Sequence, residues 1–301
     1  MRITSSSCVL ALPLVCGLAA CFSRFLGSTN DQTDAMVLIH AATFQVGISA
    51  SEIPFYQNIF NIDRPQHFND EVPDHPVTIG DFYLDKHLVT NAQFQRFIDA
   101  HPFWQPGHIR HEFDNGNYLA HWAKPDAPNA RPDHPVVNVN WYAANFYCHS
   151  EGKRLPTETE WEYAAGGGHA NVLFPWGNAA PDETRANFAD HVGTTTPVNA
   201  YPPNPYGLFD MAGNVWQFLD DPWAPYDATT GKHIAQRQAS GRENVQAVPP
   251  KPRRVIRGGS FAGSPVNLWV EYRDSHPANG SSDNVGFRCA QSFIPESSSQ
   301  P

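Results

Sequence analysis

Gly152-Lys-Arg-Leu-Pro-Thr-Glu-Thr-Glu-Trp-Glu-Tyr-Ala-Ala165 is the stretch on which the reading of the whole chain turns. Thr157 and Glu160 stand at capping-box spacing. The hydroxyl satisfies an orphan backbone N–H, and the carboxylate reaches back to the cap. The spacing predicts a helix starting after Thr157 and ended by Gly166-Gly-Gly168. Upstream, Val136 to Val139 leads into a second helix over about Trp141–Ser150, stopped by Gly152. Further back, Thr90 reads as an N-cap, with Phe94, Phe97 and Ile98 at helical spacing up to His101-Pro102. Val77, Ile79, Phe82 and Leu84 alternate as in a strand, and Met36 to Gly47 reads as a strand pair. Asn58 to Pro76 reads as loop. Residues 102–135 are irregular, and everything after Gly168 reads as turns and short strands. Residues 224–252 form a polar excursion and 293–301 a polar tail. The pattern is a compact α+β unit with few regular elements and no tandem repeat.

Composition agrees with a loop-rich globular body. Of 301 residues, 41% are hydrophobic and 12% aromatic, enough for a core, while 27 prolines and 21 glycines favour loops over long elements. Twenty basic against thirty acidic side chains give a net charge of −10, which argues against nucleic acid and does not favour anionic membranes.

The five cysteines divide by position. Cys8, Cys16 and Cys21 belong to an N-terminal leader with Arg2 and an apolar stretch from Val9 to Ala20, which reads as a secretory signal over residues 1–20. Leu18-Ala-Ala-Cys21 resembles a bacterial lipobox, making Cys21 the lipidated first residue and residues 21–35 a polar tether. An ordinary cleaved signal with a chance cysteine is the alternative. No later segment is long and apolar enough for a transmembrane helix in the mature chain. Cys148 and Cys289 remain for the body. In an exported chain they offer one staple, worth roughly 5 kcal/mol for a loop of about 140 residues.

Eight segments, in order, carry a family resemblance: Met36 to Gly47; His75 to Asn91; His134-Pro-Val-Val-Asn-Val139; the Gly152–Ala165 stretch; Phe174-Pro-Trp-Gly-Asn178; Tyr206-Gly-Leu-Phe-Asp-Met-Ala-Gly-Asn-Val-Trp216; Arg257-Gly-Gly-Ser-Phe261; and Gly286-Phe-Arg-Cys289. Together they resemble the formylglycine-generating enzyme (sulfatase-modifying factor) superfamily. The resemblance implies one formylglycine-generating-enzyme-like (C-type-lectin-like) domain over residues 36–292, low in regular secondary structure. It also implies a Cys148–Cys289 disulfide, with free buried thiols as the alternative.

The superfamily's enzymes oxidise a substrate cysteine with oxygen and a copper ion held by two cysteines, placed between the Gly-Gly-Ser and Gly-Phe-Arg motifs. Here that interval, Phe261 to Val285, contains no cysteine, so the thiolates that Cu(I) requires are missing and formylglycine generation is not expected. The superfamily's iron branch uses a His-x3-His-x-Glu motif from an extra domain. His108, His111 and Glu112 have different spacing and read as surface residues. Of the oxygen-pocket residues the resemblance implies, Trp216 and Ser260 are present; in the plainer alternative Trp216 is core and Ser260 caps a turn. Two calcium sets are implied, one at Asn187-Phe188 and one at Asp210, Gly213, Val215 and Gln217. Gln217 stands where the superfamily usually has Glu, which removes one charge.

Inside the cysteine-free interval lies Leu268-Trp-Val-Glu-Tyr-Arg273. Read as a strand, it places Glu271 on one face with Trp269 and Arg273. Desolvation beside an indole raises a carboxyl pKa and Arg273 lowers it, which makes Glu271 a tunable general base. The alternative is a surface Glu271–Arg273 ion pair. Asp274 and His276 are weaker accessories. Trp223, Trp269 and Tyr272 could stack a flat ring in an open groove.

The chain is similar to the exported, copper-cysteine-lacking pyoverdine-maturation branch. This implies a periplasmic, lipid-anchored oxidase acting on a peptide siderophore precursor, with Glu271 as base and molecular oxygen as co-substrate. The alternatives are a catalytically silent envelope binding or assembly protein, and an oxidase tailoring another exported peptide.

Overall fold

The computed structural model describes residues 35–295 except 125, 128–129, 170–171 and 227–251. The leader, Cys21, nearly all of the tether, most of the polar excursion and the last six residues lie outside the described residues.

The expected strand pair at the start of the body is β1 (Met36–Ile39) and β2 (Ala42–Val46), but the two do not pair with each other. β2 pairs antiparallel with β3 (His75–Ile79), and β1 pairs with β4 (Phe82–Asp85). β4 also takes β9 (Ala290–Ser292), so the last strand of the domain closes onto its first sheet. A second sheet has the order β7 (Asp274–Pro277), β6 (Arg253–Arg257), β5 (Trp216–Pro222), β8 (Val285–Gly286), antiparallel except for the β5–β8 pair. Among the described residues no helix is long and apolar enough to cross a membrane.

Helix α1 (Ile53–Phe60) runs into the segment read as loop from Asn58. A capping box between Ser49 and Glu52 starts the preceding turn, and Asn61 in the left-handed region (φ 53°) ends the helix. The three helices expected from sequence are present. α2 (Asn91–Ala100) has the Thr90–Gln93 capping box, and α3 (Trp141–Ser150) is capped by Asn140. α4 (Glu158–Ala165) has the Thr157–Glu160 box. Glu160 does more than cap: both its oxygens also take Arg154 guanidinium N–H groups, at 2.7 and 2.6 Å.

Short elements leave many backbone groups without ladder partners, and buried side chains satisfy them. Arg288, fully buried, donates to the carbonyls of Asp85, Lys86, Phe209 and Asp210 and to Gln217 Oε1. One guanidinium thus joins segments about 200 and 80 residues away in sequence. The Cys148–Cys289 disulfide ties α3 to the segment before β9 across 141 residues.

The strand expected over Leu268–Arg273 does not form. Ser264 and Asn267 make a capping box that starts a 3-10 turn over Pro265–Leu268, and Tyr272 N–H closes a further turn onto the Trp269 carbonyl at 3.0 Å. Extended structure begins only at Asp274. The period-two argument for the neighbours of Glu271 therefore fails. Trp269 and Tyr272 enter the larger apolar core, while Val270 enters a second one with Trp161 and Met211.

Candidate functional site

The turn at Val270-Glu271, the inner face of α4, β2 and the start of α1 enclose a cavity of about 490 Å3. Its lining includes Glu271, Glu162, Tyr56 and Tyr163, with Glu52 and Asp74 exposed within it. Gly47 lines it in a left-handed conformation (φ 75°), where a Cβ would lie 2.4 Å from the Glu71 carbonyl oxygen. Only a residue without a side chain allows β2 to pass this close.

Below the cavity lies a buried charge network. Glu158 and Glu162, one helical turn apart on α4, face Arg257 of β6 and Arg273. Arg257 bonds Glu162 Oε2 and donates to the Glu271 carbonyl oxygen at 2.5 Å. Arg273 is bidentate to Glu158, at 2.6 and 3.1 Å, and its backbone N–H donates to Glu71 Oε1 at 3.0 Å. Two carboxyl groups, Glu158 and Glu162, thus pair with two guanidinium groups, and Glu71 and Glu271 add two more carboxyls beside them.

Charge balance in a low-dielectric interior requires some of those carboxyls to stay protonated. Burial pushes Glu71 up to about 8, against the pull of the Arg273 N–H and both arginines. Burial also pushes Glu162 up to about 7; Arg257 opposes the shift and Glu158 adds to it. Glu271 is held well above the usual carboxylate range by burial first, then by Glu162, with Arg257 opposing. Its Oε2 is inaccessible and has no hydrogen-bond partner. Glu271 is therefore a half-buried carboxyl at the wall of a cavity, biased toward its protonated form.

The other residues singled out from sequence fall elsewhere. Arg273 pairs with Glu158, so the expected Glu271–Arg273 pair is replaced by a buried bridge. Trp269 is 1% exposed and packs on Tyr56 at 4.4 Å between ring centres, and Tyr272 is also buried. Neither presents a free face, which removes the open stacking groove. Trp223 lies against the Arg273 guanidinium at 4.8 Å. Trp216 and Ser260 are buried and outside the cavity lining, although the Trp216 ring reaches Tyr272, the neighbour of Glu271, at 6.1 Å. His276 bonds the Pro277 carbonyl, and Asp274 accepts the Ser275 N–H. Glu112 pairs with Arg110 at the surface.

The residues implied for copper and calcium differ in what they offer. Both body cysteines are in the disulfide, so neither offers a thiolate to copper. At the second calcium set, Gln217 Oε1 already accepts from Trp161 Nε1 (3.0 Å) and Arg288 Nε (2.7 Å). Its Nε2 donates to the Asp210 carbonyl at 2.9 Å. The Asp210 carbonyl thus accepts from the Gln217 amide and from the Arg288 guanidinium, two donors where a cation would need a free oxygen. Asp210, pushed up to about 6 by burial, is the one carboxyl of this set, and its buried Oδ2 has no hydrogen-bond partner. At the other set, Asn187 Nδ2 donates to Thr194, the Phe188 carbonyl accepts the His191 N–H, and Asn187 Oδ1 alone lacks a partner. Among the described residues no group of three His, Cys, Asp or Glu side chains is placed to hold a metal ion.

Glu71, Glu158, Glu162, Arg257 and Tyr56 were missed as site residues. The signal for two of them was present. Glu158 and Glu162 are four apart on a helix whose same face carries Trp161 and Ala165, and acidic residues inside an apolar stripe mark buried charge.

The profile of the sulfatase-modifying factor enzyme 1-like domain matches residues 22–293. The chain is 32% identical over 300 residues to the formylglycine-generating enzyme of Bos taurus, covering 81% of this chain and 75% of that one. It is 31% identical over 322 residues to the inactive C-alpha-formylglycine-generating enzyme 2 of Bos taurus, covering 92% and 95%. In fold it is similar to the structure of PvdO from Pseudomonas aeruginosa, with a TM-score of 0.60 at 22% identity, covering 86% of this chain and 94% of that one.

Proposed function

The chain belongs to the sulfatase-modifying factor enzyme 1-like family, and from that premise we propose that it is an exported oxidative maturation enzyme that works without thiolate-held copper. Its substrate in this reading is the dihydropyoverdine chromophore of a peptide siderophore, and its working group is Glu271. The observation that carries the reading is a carboxyl held toward its protonated form at the wall of a cavity of about 490 Å3, large enough for a bicyclic ring. Oxidising the dihydro ring to the aromatic one removes two electrons and two protons. Ionised Glu271 receives one of the two protons and passes it on; dioxygen takes both electrons and, in the end, both protons, and leaves as hydrogen peroxide. Arg257 pulls Glu271 toward its ionised form and Glu162 toward its protonated form, so the two neighbours oppose each other at this carboxyl. The enzyme is placed in the periplasm by its leader and tethered through Cys21.

A second reading, a catalytically silent binding protein, is favoured by the burial of Trp216 and Ser260 away from the cavity. Purified protein incubated with dihydropyoverdine under air and without oxygen separates the two. Chromophore formation that depends on both protein and oxygen supports the enzyme; no product in either condition leaves the binding protein. Mass spectrometry of the mature N-terminus tests the tether: a diacylglyceryl Cys21 supports it, and a start at Phe22 or later refutes it.

A further inference from the structure

A groove of about 200 Å3 runs between α2 and α3 and shares no lining residue with the Glu271 cavity. Gln93, Arg96 and His101 line it from the α2 side, and Tyr147, Ser150 and Glu151 from the α3 side. Helical spacing brings them there: 93 and 96 share one face of α2, and 147, 150 and 151 share one face at the end of α3.

Tyr147 is 6% exposed, and its ring packs against Phe94, Phe97 and Phe287, at 5.7, 5.3 and 5.4 Å between ring centres. Phenylalanine would meet those ring contacts. The hydroxyl is the difference: it has no hydrogen-bond partner among the described residues and keeps accessible surface on the groove. A hydroxyl at the edge of an aromatic core costs free energy unless something in the groove completes it. Burial, with Glu151 adding to it, holds the phenol well above its ordinary range, so it stays a neutral donor.

The polar groups around it are a second, independent observation, because they are sorted by sign. Neither the Arg96 guanidinium nor the Glu151 carboxylate has a hydrogen-bond or ion-pair partner among the described residues, and the two do not pair with each other. Gln93 Oε1 is taken by the Thr90 cap, which leaves its amide N–H groups free. Ser150 donates its hydroxyl to the Tyr147 carbonyl at 2.8 Å, which leaves its oxygen as an acceptor. Glu151 caps the C-terminal end of α3, where the helix dipole is negative and favours a cation. Donors therefore gather at Arg96 and acceptors at Glu151.

We propose that this groove binds a small zwitterion, a free α-amino acid, with its carboxylate at Arg96 and the Tyr147 hydroxyl and its ammonium at Glu151 and Ser150. One carbon separates the two charges of such a ligand, so it can bridge side chains that lie close without touching. A ligand with a single charge leaves one of the two sides unanswered. No covalent bond changes in this binding.

An NMR titration of the mature chain, labelled with 13C-tyrosine, tests this with L-alanine as the zwitterion. N-acetyl-L-alanine and L-alaninamide are the forms that each lack one charge. The Tyr147 signal is the one missing from the Tyr147→Phe spectrum. L-Alanine is expected to shift that signal and approach saturation by about 10 mM, and each blocked form to bind about tenfold more weakly or worse. Arg96→Gln and Glu151→Gln are each expected to weaken L-alanine roughly 10-fold on the same signal, with unchanged denaturation midpoints because both side chains are exposed. A Tyr147 signal that ignores L-alanine up to about 10 mM would overturn the proposal. So would blocked forms that bind as well as L-alanine, or charge variants that bind it like the wild type; the hydroxyl and both charges would then face water alone. The oxidase reading is untouched by either result, because none of these side chains lines its cavity.

Discussion

Replacing Glu71 with Gln should stabilise the protein at neutral and alkaline pH and leave it nearly unchanged in acid. Glu71 is fully buried, with Oε1 accepting the Arg273 N–H and Oε2 unpartnered. Gln keeps the acceptor and carries no charge. The folded carboxyl holds its proton up to about pH 8, whereas the unfolded chain gives it up near 4.5. The folded pKa is raised, so the wild type loses stability as pH climbs between those values, at about 1.4 kcal/mol per pH unit. At pH 7 the interval covered is about 2.5 units, a penalty of roughly 3 kcal/mol that the variant does not bear; by pH 8 it reaches roughly 5 kcal/mol. Guanidinium unfolding followed by tryptophan fluorescence at pH 4, 6 and 8, with the disulfide kept oxidised, measures the difference. The value at pH 4 sets the packing baseline, and the gain of Gln over Glu should grow from there. A difference that does not change with pH, or a variant that loses ground as pH rises, would refute the protonated-carboxyl account of this network.

Two further outcomes follow from the same structure. Removing the disulfide with Cys148→Ala and Cys289→Ala together should cost roughly 5 kcal/mol, because the unfolded chain regains a loop of 141 residues; chemical denaturation of the oxidised wild type and the double variant gives the number. Calcium should leave the melting temperature unchanged, since Gln217 Oε1 already accepts two donors and Gln217 Nε2 is bonded to the Asp210 carbonyl; a clear rise with calcium over chelator in a thermal melt would contradict that reading.

The parts of the fold legible in sequence were those written in local chemistry. Thr90 and Thr157 announced their helices because a cap satisfies backbone groups within one turn, and Cys148 and Cys289 were the only cysteines available in the body. What escaped was non-local. Leu268–Arg273 looks like a strand by composition, but Ser264-Pro265 and Asn267 start a turn that carries Trp269 and Tyr272 inward. Glu271 was singled out from sequence, yet its company was misjudged. The sequence neighbour Arg273 turns to Glu158, 115 residues away, and Glu271 meets Glu162 and Arg257 instead. Gln217 looked like a weakened calcium ligand, and only the fold reveals that Arg288 and Trp161 use its oxygen.

The central claim is that Glu271 waits as a neutral acid inside a carboxyl-lined cavity. The most direct measurement is a 13C NMR titration of glutamate-labelled protein, with the Glu271 signal assigned as the one missing from the Glu271→Gln spectrum. The account predicts that this carboxyl stays protonated at pH 7, well after exposed glutamates have ionised. Ionisation near the ordinary value of 4.5 would contradict it.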